Sequence, residues 1–199
     1  MIRILGPHDG PMHRPHDPTF VNTTSHSRSW GRGLSPFLTG PIPLYKGAPV
    51  AEAKNAENAW QYSKVYSQFV GEDGNPDPEY FKWAKIGYLT QRGVRYPMGK
   101  GAKPKYAWWA GEKLGYVESR LKIYLPCYGR AVAKSEAFQQ LQELHDNNET
   151  ITLWDFDGYD HEAKGKSLND VAHDDRRPLG HAFVLKILLT GEKIDGCNL

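Results

Sequence analysis

The stretch Asn55-Ala-Glu-Asn-Ala-Trp-Gln-Tyr-Ser-Lys-Val-Tyr66 reads as the opening of a helix that carries chemistry as well as packing. Asn55 suits the N-cap position, because its side-chain oxygen can accept from a free amide of the first turn. Glu57 then falls in that turn, where a carboxylate meets the positive helix end. Glu57, Gln61 and Lys64 stand at i, i+4 and i+7, so a helix running from Glu52 to Phe69 places all three on one face. Trp60, Tyr62 and Val65 fall on other faces and anchor it. A carboxylate, an amide and an ammonium in one row can grip a polar ligand and serve its reaction. Without a ligand the same row is an ordinary solvated stripe.

Upstream lies Trp30-Gly-Arg-Gly-Leu-Ser-Pro-Phe37, followed by the strand-like Pro41-Ile-Pro-Leu-Tyr45 and the turn Lys46-Gly47. Near the C-terminus comes Arg177-Pro-Leu-Gly-His-Ala-Phe-Val-Leu-Lys-Ile-Leu-Leu189, an apolar helix that belongs in a core. In order and spacing this set resembles the NADAR superfamily. Its members begin with an (L/F)SNF.P box, a short strand and a turn, continue with a helix reading E-H-x-x-Q-x-x-K, and finish with a helix introduced by N-x-LG-x-x-L-M. Leu34-Ser-Pro-Phe37 matches the first box with Pro36 in place of Asn, and Glu57, Gln61 and Lys64 match the second with Asn58 in place of His. Leu179-Gly180 matches the last, with Arg177 in place of Asn, while the D-x-x-W-G box has no clean counterpart. The resemblance spans most of residues 30–190. It implies an α+β, helix-rich domain that hydrolyses N-glycosidic bonds in unusual nucleotides, such as ADP-ribose attached to guanine or intermediates of the riboflavin pathway.

Length and composition agree with one domain. A chain of 199 residues can bury a sizeable core. Its 6 Trp, 11 Tyr and 7 Phe, set against a mean hydropathy of -0.63, favour a compact fold with aromatic-lined surfaces over disorder. Cys127 and Cys197 lack a CxxC spacing, the first thirty residues lack the apolar run of a signal peptide, and nothing reaches the length of a membrane span. The expected compartment is therefore the cytoplasm, with no membrane partner. The net charge of +2 hides an asymmetry: nine Lys or Arg against two Glu between Arg92 and Arg130, and ten acidic residues against two Lys between Glu143 and Asp175.

Residues 1–29, rich in Pro, His, Asp, Ser and Thr, read as an irregular N-terminal arm with one short strand at Met1–Leu5, ahead of a domain over 30–199. His8, His13, His16 and His26 have no acidic or Cys partner at a recognised spacing, so neither a metal nor another cofactor is expected. Pro78 to Gln91 reads as a helix with core aromatics, and Ala110 to Lys122 as another. Tyr124 to Arg130 looks irregular or strand-like. Ser135 to Leu144 has the stripe of an amphipathic helix, Thr150 to Phe156 alternates like a strand, and 158–177 reads as a long loop. One small sheet or hairpin is expected to carry Ile42–Tyr45 with Ile151–Phe156, and the helices from Glu57 and Pro178 are expected to pack together.

The run Arg92-Gly-Val-Arg-Tyr-Pro-Met-Gly-Lys-Gly-Ala-Lys-Pro-Lys-Tyr106 and the following Trp108 mix positive charge with aromatic rings. Such a loop suits phosphate neutralisation and base stacking, which makes Arg92, Arg95, Tyr96, Lys100, Lys103, Lys105 and Trp108 candidate nucleic-acid contacts. It equally describes a solvated basic loop with its tryptophan in the core. Cleaving an N-glycosidic bond needs a carboxylate for the water and the cationic sugar, help for the departing base, and rings to clamp it. Glu57 and Lys64 supply candidate chemistry, together with a carboxylate from the strand end. Asp155 is favoured there, Asp157 and Asp160 fit the spacing equally, and only one of Asp155 and Asp157 can face the pocket if the strand continues. Trp60, Gln61, Phe37, Arg32 and Asp160 complete the expected substrate contacts. The expected activity is a glycosylase that removes a modified base from DNA or another nucleic acid, suited to defence against phage with modified DNA. Removal of ADP-ribose from guanine, cleavage of a small ADP-ribose-like nucleotide, and a non-catalytic nucleotide-binding module are the alternatives.

Overall fold

The computed structural model describes all residues, Met1–Leu199. Its organising element is a three-stranded parallel sheet in which one late strand lies between two early ones. β1 (Ile2–Leu5) and β2 (Phe20–Asn22) flank a strand formed by Ile151–Trp154, with Ile2 opposite Ile151 and Phe20 opposite Thr152. Residues 1–29 are thus not an arm outside the domain. Ile2, Ile4, Leu5 and Val21 are core residues, and the Pro- and His-rich segment between the strands is pinned where Trp154 Nε1 donates to the Gly10 carbonyl at 3.1 Å. The short strand expected at Met1–Leu5 is present as β1, whereas β2 was hidden by the polar composition of the segment around it. The central strand does not alternate in burial either: all four of its residues are buried, as expected when both faces of a parallel sheet are covered.

Next come β3 (Ile42–Pro43) and β4 (Glu52–Ala53), which pair antiparallel as a two-residue ladder. The Ile42 strand and the Ile151 strand therefore belong to different sheets. Helix α1 (Ala56–Gln61) follows, with Asn55 accepting from the Asn58 amide at 2.9 Å as its N-cap. The helix stops well short of Phe69. Tyr62, Ser63, Val65 and Tyr66 are weak helix formers, and the chain turns at Tyr62–Ser63 into β5 (Lys64–Val65). Val65 is fully buried there, and Tyr80 Oη donates to the Tyr62 carbonyl at 3.0 Å.

α2 (Pro78–Leu89) is capped by Asp77 and packs on α1. A hairpin, β6 (Tyr106–Trp109) and β7 (Glu112–Leu114), extends β5 into an antiparallel sheet, so residues 110–114 are not helical. The helix begins later, as α3 (Tyr116–Ser119), passes through a wide π turn at Arg120–Tyr124, and continues as α4 (Leu125–Val132). Residues 124–130 are therefore helical, not irregular or strand-like. Here the widened turn immediately precedes Pro126 and absorbs the break that its missing N–H makes in the ladder.

α5 (Glu136–Asp146), capped by Ser135, leads to β8, the central Ile151–Trp154 strand. The 158–177 loop contains α6 (Leu168–His173), and the chain closes with α7 (His181–Thr190). α7 packs on α4 and β1, and α1 packs on the π turn and α4, so α4 is the element that both helices share. The fold is α+β, and no helix is long and apolar enough to cross a membrane.

Close approach at Gly87 seats α2. A Cβ there would lie 1.9 Å from the Tyr62 ring. Gly87→Ala is expected to lose about 1–3 kcal/mol by overpacking, despite the higher helix propensity of Ala, read as a lower denaturant midpoint. An unchanged or raised midpoint would refute this seating.

Candidate functional site

A cavity of about 440 Å³ opens where the carboxyl ends of β2 and β8 meet α1, the π turn and the start of α7. Clefts beyond the carboxyl ends of parallel strands are the usual ligand positions of open sheets. Glu57 reaches it from the first turn of α1 and is only 6% exposed. Gln61 Nε2 donates to Glu57 Oε1 at 2.8 Å, and Lys64 Nζ donates to Gln61 Oε1 at 2.7 Å while lying 4.7 Å from the Trp60 ring centroid. The row expected on one long helix therefore exists in space, although Lys64 reaches it from β5. Gln61 Nε2 makes the only protein hydrogen bond to the Glu57 carboxyl, so Oε2 is uncommitted. Burial pushes the Glu57 carboxyl upward against the Gln61 bond and the Lys64 charge, with smaller help from Arg95 and His181. Burial also lowers the Lys64 ammonium to about 8, partly opposed by Glu57.

The opposite wall comes from the turn after β8. Its strand geometry ends at Trp154, and the Gly158 amide closes a turn onto the Asp155 carbonyl at 3.1 Å, so both Asp155 and Asp157 line the cavity. Their expected separation onto opposite faces does not arise, because the strand does not continue. Asp155 is fully committed. Its Oδ2 lies 3.0 Å from His181 Nδ1 and accepts from the Ala182 amide at 3.1 Å, and its Oδ1 accepts from the Asp157 amide at 3.3 Å. The carboxylate thereby caps the positive end of α7, and Gly180 makes room for it: a Cβ there would sit 2.4 Å from Asp155 Oδ2. Burial raises Asp155, but the His181 charge and these hydrogen bonds outweigh it and hold the carboxyl below its ordinary value. Asp157 is pushed upward by burial against its ion pair with Arg95, 2.7 Å away.

Trp60 and Phe37, expected as substrate contacts, line the cavity, and so do Arg95 and Tyr96 from the loop read as a nucleic-acid contact; Phe37 is set in place by Gly93 pressed against its ring. Other expected residues lie elsewhere. Arg32 is exposed outside the cavity, and Asp160 pairs with Arg3 at 3.5 Å and caps the turn at Ala163. Trp108 packs half-buried against the core, and Arg92, Lys100, Lys103 and Lys105 are exposed and do not line the cavity. Asn58 ties down the chain after α2. Its amide donates to the Thr90 and Arg92 carbonyls at 2.7 and 3.1 Å, and its oxygen accepts from the Val94 amide at 2.9 Å.

Residues absent from the sequence-based set complete the site. His181 is 6% exposed and also contacts the Thr23 carbonyl through Nε2 at 2.8 Å. An ionisable side chain heading an apolar helix was the available signal, since it is buried only with a partner. Tyr124 and Arg120 come from the π turn, Tyr116 and Phe156 stand exposed at the rim, and Thr24 and His26 come from the segment read as an arm. Arg120 is 1% exposed, lies 4.1 Å from the Tyr116 ring centroid, and donates to the Asp174 carbonyl at 2.6 Å and to the Arg177 carbonyl. No three His, Cys, Asp or Glu side chains group closely enough to hold a metal ion.

The Asp155–His181 pair has a signature in pH. Burial lowers the His181 imidazolium, but Asp155 and the Thr23 carbonyl more than compensate, so its value lies above the ordinary 6.5. A raised histidine binds its proton more tightly folded than unfolded, so its contribution is full below pH 6.5 and is lost as pH rises through the raised value. Asp155, held below 3.8, contributes above that pH and loses its contribution as pH falls through the depressed value. Unfolding free energy of the wild type is expected to decline above pH 6.5, and His181→Gln to remove that part of the slope. Parallel slopes in urea titrations of the two proteins above pH 6.5 would contradict the pairing.

Residues 12–185 match a family of unknown function (DUF6939). No curated protein and no solved structure matches the chain. Because the match takes in most of the sequence, the chain belongs to DUF6939.

Proposed function

We propose that this chain is an N-glycosidase that acts on a modified base, or on a modifier carried by a base, in nucleic acid. The observation that carries the reading is the state of Glu57: a buried carboxyl with raised proton affinity, one oxygen held by Gln61 and the other free, in an aromatic-walled cavity. A carboxyl whose proton affinity is raised holds its proton more readily than a free glutamate and can donate it to a departing base nitrogen. Asp157, beside Arg95, is the carboxylate for the other half of the reaction. In the proposed step the C1′–N bond breaks with its electron pair going to the base, and the base nitrogen takes the Glu57 proton. A water oxygen bonds to C1′ and its proton passes to Asp157. Lys64 and Gln61 act through Glu57, holding it in place, and Asp155 acts through the turn that presents Asp157.

A base in a duplex must leave the stack to reach such a cavity, and exposed rings at its mouth favour that state. Tyr96, Tyr116 and Phe156 are exposed there. The basic segment begins at the rim with Arg95 and Tyr96, and ends where the Lys105 amide donates to the Val65 carbonyl, next to Lys64 on β5. Lys100, Lys103 and Lys105 are exposed along it, free to meet a phosphate backbone. The similarity to the NADAR pattern at Glu57, Gln61 and Lys64 supports the same bond class. A free ADP-ribose-like nucleotide is the second reading, favoured by three cations, Lys64, Arg95 and Arg120, lining one small cavity.

The test is incubation of wild type and Glu57→Gln with DNA carrying natural, modified and ADP-ribosylated bases, followed by analysis for free base, free ADP-ribose and alkali-sensitive sites. Wild type is expected to release product, and Glu57→Gln to be slower by about 10²–10⁴-fold with its fold intact. Equal turnover of free nucleotide and DNA without salt dependence would replace the polymer by a small substrate. Binding with no product from any substrate would leave a nucleotide-binding module. Borohydride trapping on wild type and Lys64→Gln checks the positioning role: a covalent adduct lost in the variant would make Lys64 a Schiff-base nucleophile instead.

A further inference from the structure

Tyr124 ends the π turn on which α1 packs, and its side chain lines the cavity that holds Glu57. The ring is clamped. It stacks on Tyr128 at 14°, 6.0 Å between centroids, and leans on Trp60 at 5.4 Å. Tyr128 Oη, one helical turn on, donates to the Leu34 carbonyl. The Tyr124 hydroxyl makes no hydrogen bond within the chain, yet it is not shut away from solvent as the orphaned hydroxyls of Tyr45, Tyr88 and Tyr159 are. Since Tyr124 is only 7% exposed and lines the cavity, its open oxygen faces the cavity. The surrounding charges give the same direction. Burial raises the phenol well above its ordinary value, and Glu57 raises it next, ahead of Tyr128, Asp155 and Asp157. The hydroxyl thus lies among the three carboxyls of the cavity, with Glu57 the strongest influence. It also keeps its proton, so it is a donor and never a base.

The other unengaged groups on this wall are of the same kind. Lys64 Nζ, 4.7 Å from the Trp60 ring centroid, has Gln61 Oε1 as its acceptor in the chain and protons to spare. With Glu57 Oε2 carrying the proton it is to give, Tyr124, Glu57 and Lys64 present donors only. Such a wall matches the carbonyl and ring-nitrogen acceptors of a base. It mismatches an exocyclic amino group, whose hydrogens would meet no acceptor.

We propose that Tyr124 is a further catalytic residue, whose hydroxyl donates to a carbonyl oxygen of the departing base while Glu57 protonates the base at a ring nitrogen. The contact with a base stands on the geometry, and only the departure of that base rests on the glycosidase reading above. As the C1′–N bond breaks, its electron pair enters the base and the charge spreads to the carbonyl oxygen. Glu57 transfers its proton, while Tyr124 keeps its own and acts as a fixed donor where charge develops. The substrate class that follows is a base with a carbonyl group, not one carrying amino groups alone.

Hypoxanthine, uracil and purine, the last without a carbonyl, titrated into intact wild type and Tyr124→Phe with the Trp60 indole followed by NMR, test the contact. Wild type is expected to bind at least one of the two carbonyl bases saturably and more tightly than purine. Tyr124→Phe is expected to lose about tenfold for that base and little for purine. Its Tm is expected to equal that of wild type, because the hydroxyl it removes has no partner in the fold. A tyrosine that only packs would weaken every base alike. No saturable binding of either carbonyl base, equal affinity in the two proteins, equal weakening for all three bases, or a lowered Tm overturns the contact. On the substrates that wild type cleaves, Tyr124→Phe is expected to lower kcat by about 10–10²-fold. Turnover by the variant at the wild-type rate leaves the glycosidase standing and overturns the role of Tyr124. Carbonyl-selective binding with no product from any substrate keeps the contact and removes the glycosidase reading.

Discussion

The contact between Asp155 and the start of α7 is the constraint on which the site depends. It joins the end of the central strand to a helix that arrives only after the 158–177 segment, and three groups converge on one carboxylate: the His181 ring, the Ala182 amide and the Asp157 amide. The amide at the helix start and the imidazole charge together outweigh the cost of burying the acid. In return the turn after β8 is fixed, which faces Asp157 toward Arg95 on the cavity wall. Gly180 admits the carboxylate, and the close pass of Gly158 over the Leu5 carbonyl locks the same turn to β1.

Three carboxyl groups line one cavity, and their surroundings set them apart. Both oxygens of Asp155 are engaged inside the protein, so its part is architectural. Asp157 keeps a cation beside it, and Glu57 is buried with one oxygen free. Burial raises the proton affinity of both Glu57 and Asp157, and what sets them apart is contact: Asp157 faces the Arg95 cation, while Glu57 is held by a neutral amide.

Much of this could be read in the chain. The Glu57, Gln61 and Lys64 row survives as a hydrogen-bonded relay, the Asn55 cap is where its chemistry places it, and the Phe37, Trp60 and Arg95 side chains reach the cavity. What was not legible follows physical lines. Lys64 leaves the helix because Tyr62, Ser63, Val65 and Tyr66 are poor helix formers and Val65 has a core position to fill. The short strand expected at Met1–Leu5 is β1, but a strand of three residues carries too little pattern to stand out in a Pro- and His-rich segment, which concealed β2 and the cavity residues Thr24 and His26. A π turn has no local residue signature, so the helix through Pro126, from which Arg120 and Tyr124 reach the site, was not legible. His181 pairs with a residue 26 positions away, a relation that periodicity does not encode.

The account's central claim is that the cavity holds Glu57 ready to give up a proton while Asp155 stays ionised. The most direct measurement is the pH titration of the individual side-chain carboxyl carbons by NMR, with Glu57 and Asp155 assigned through Glu57→Gln and Asp155→Asn. Glu57 should titrate above the ordinary glutamate value of 4.5, and Asp155 below the ordinary aspartate value of 3.8. Glu57 titrating at or below 4.5, or Asp155 titrating above Glu57, would contradict it.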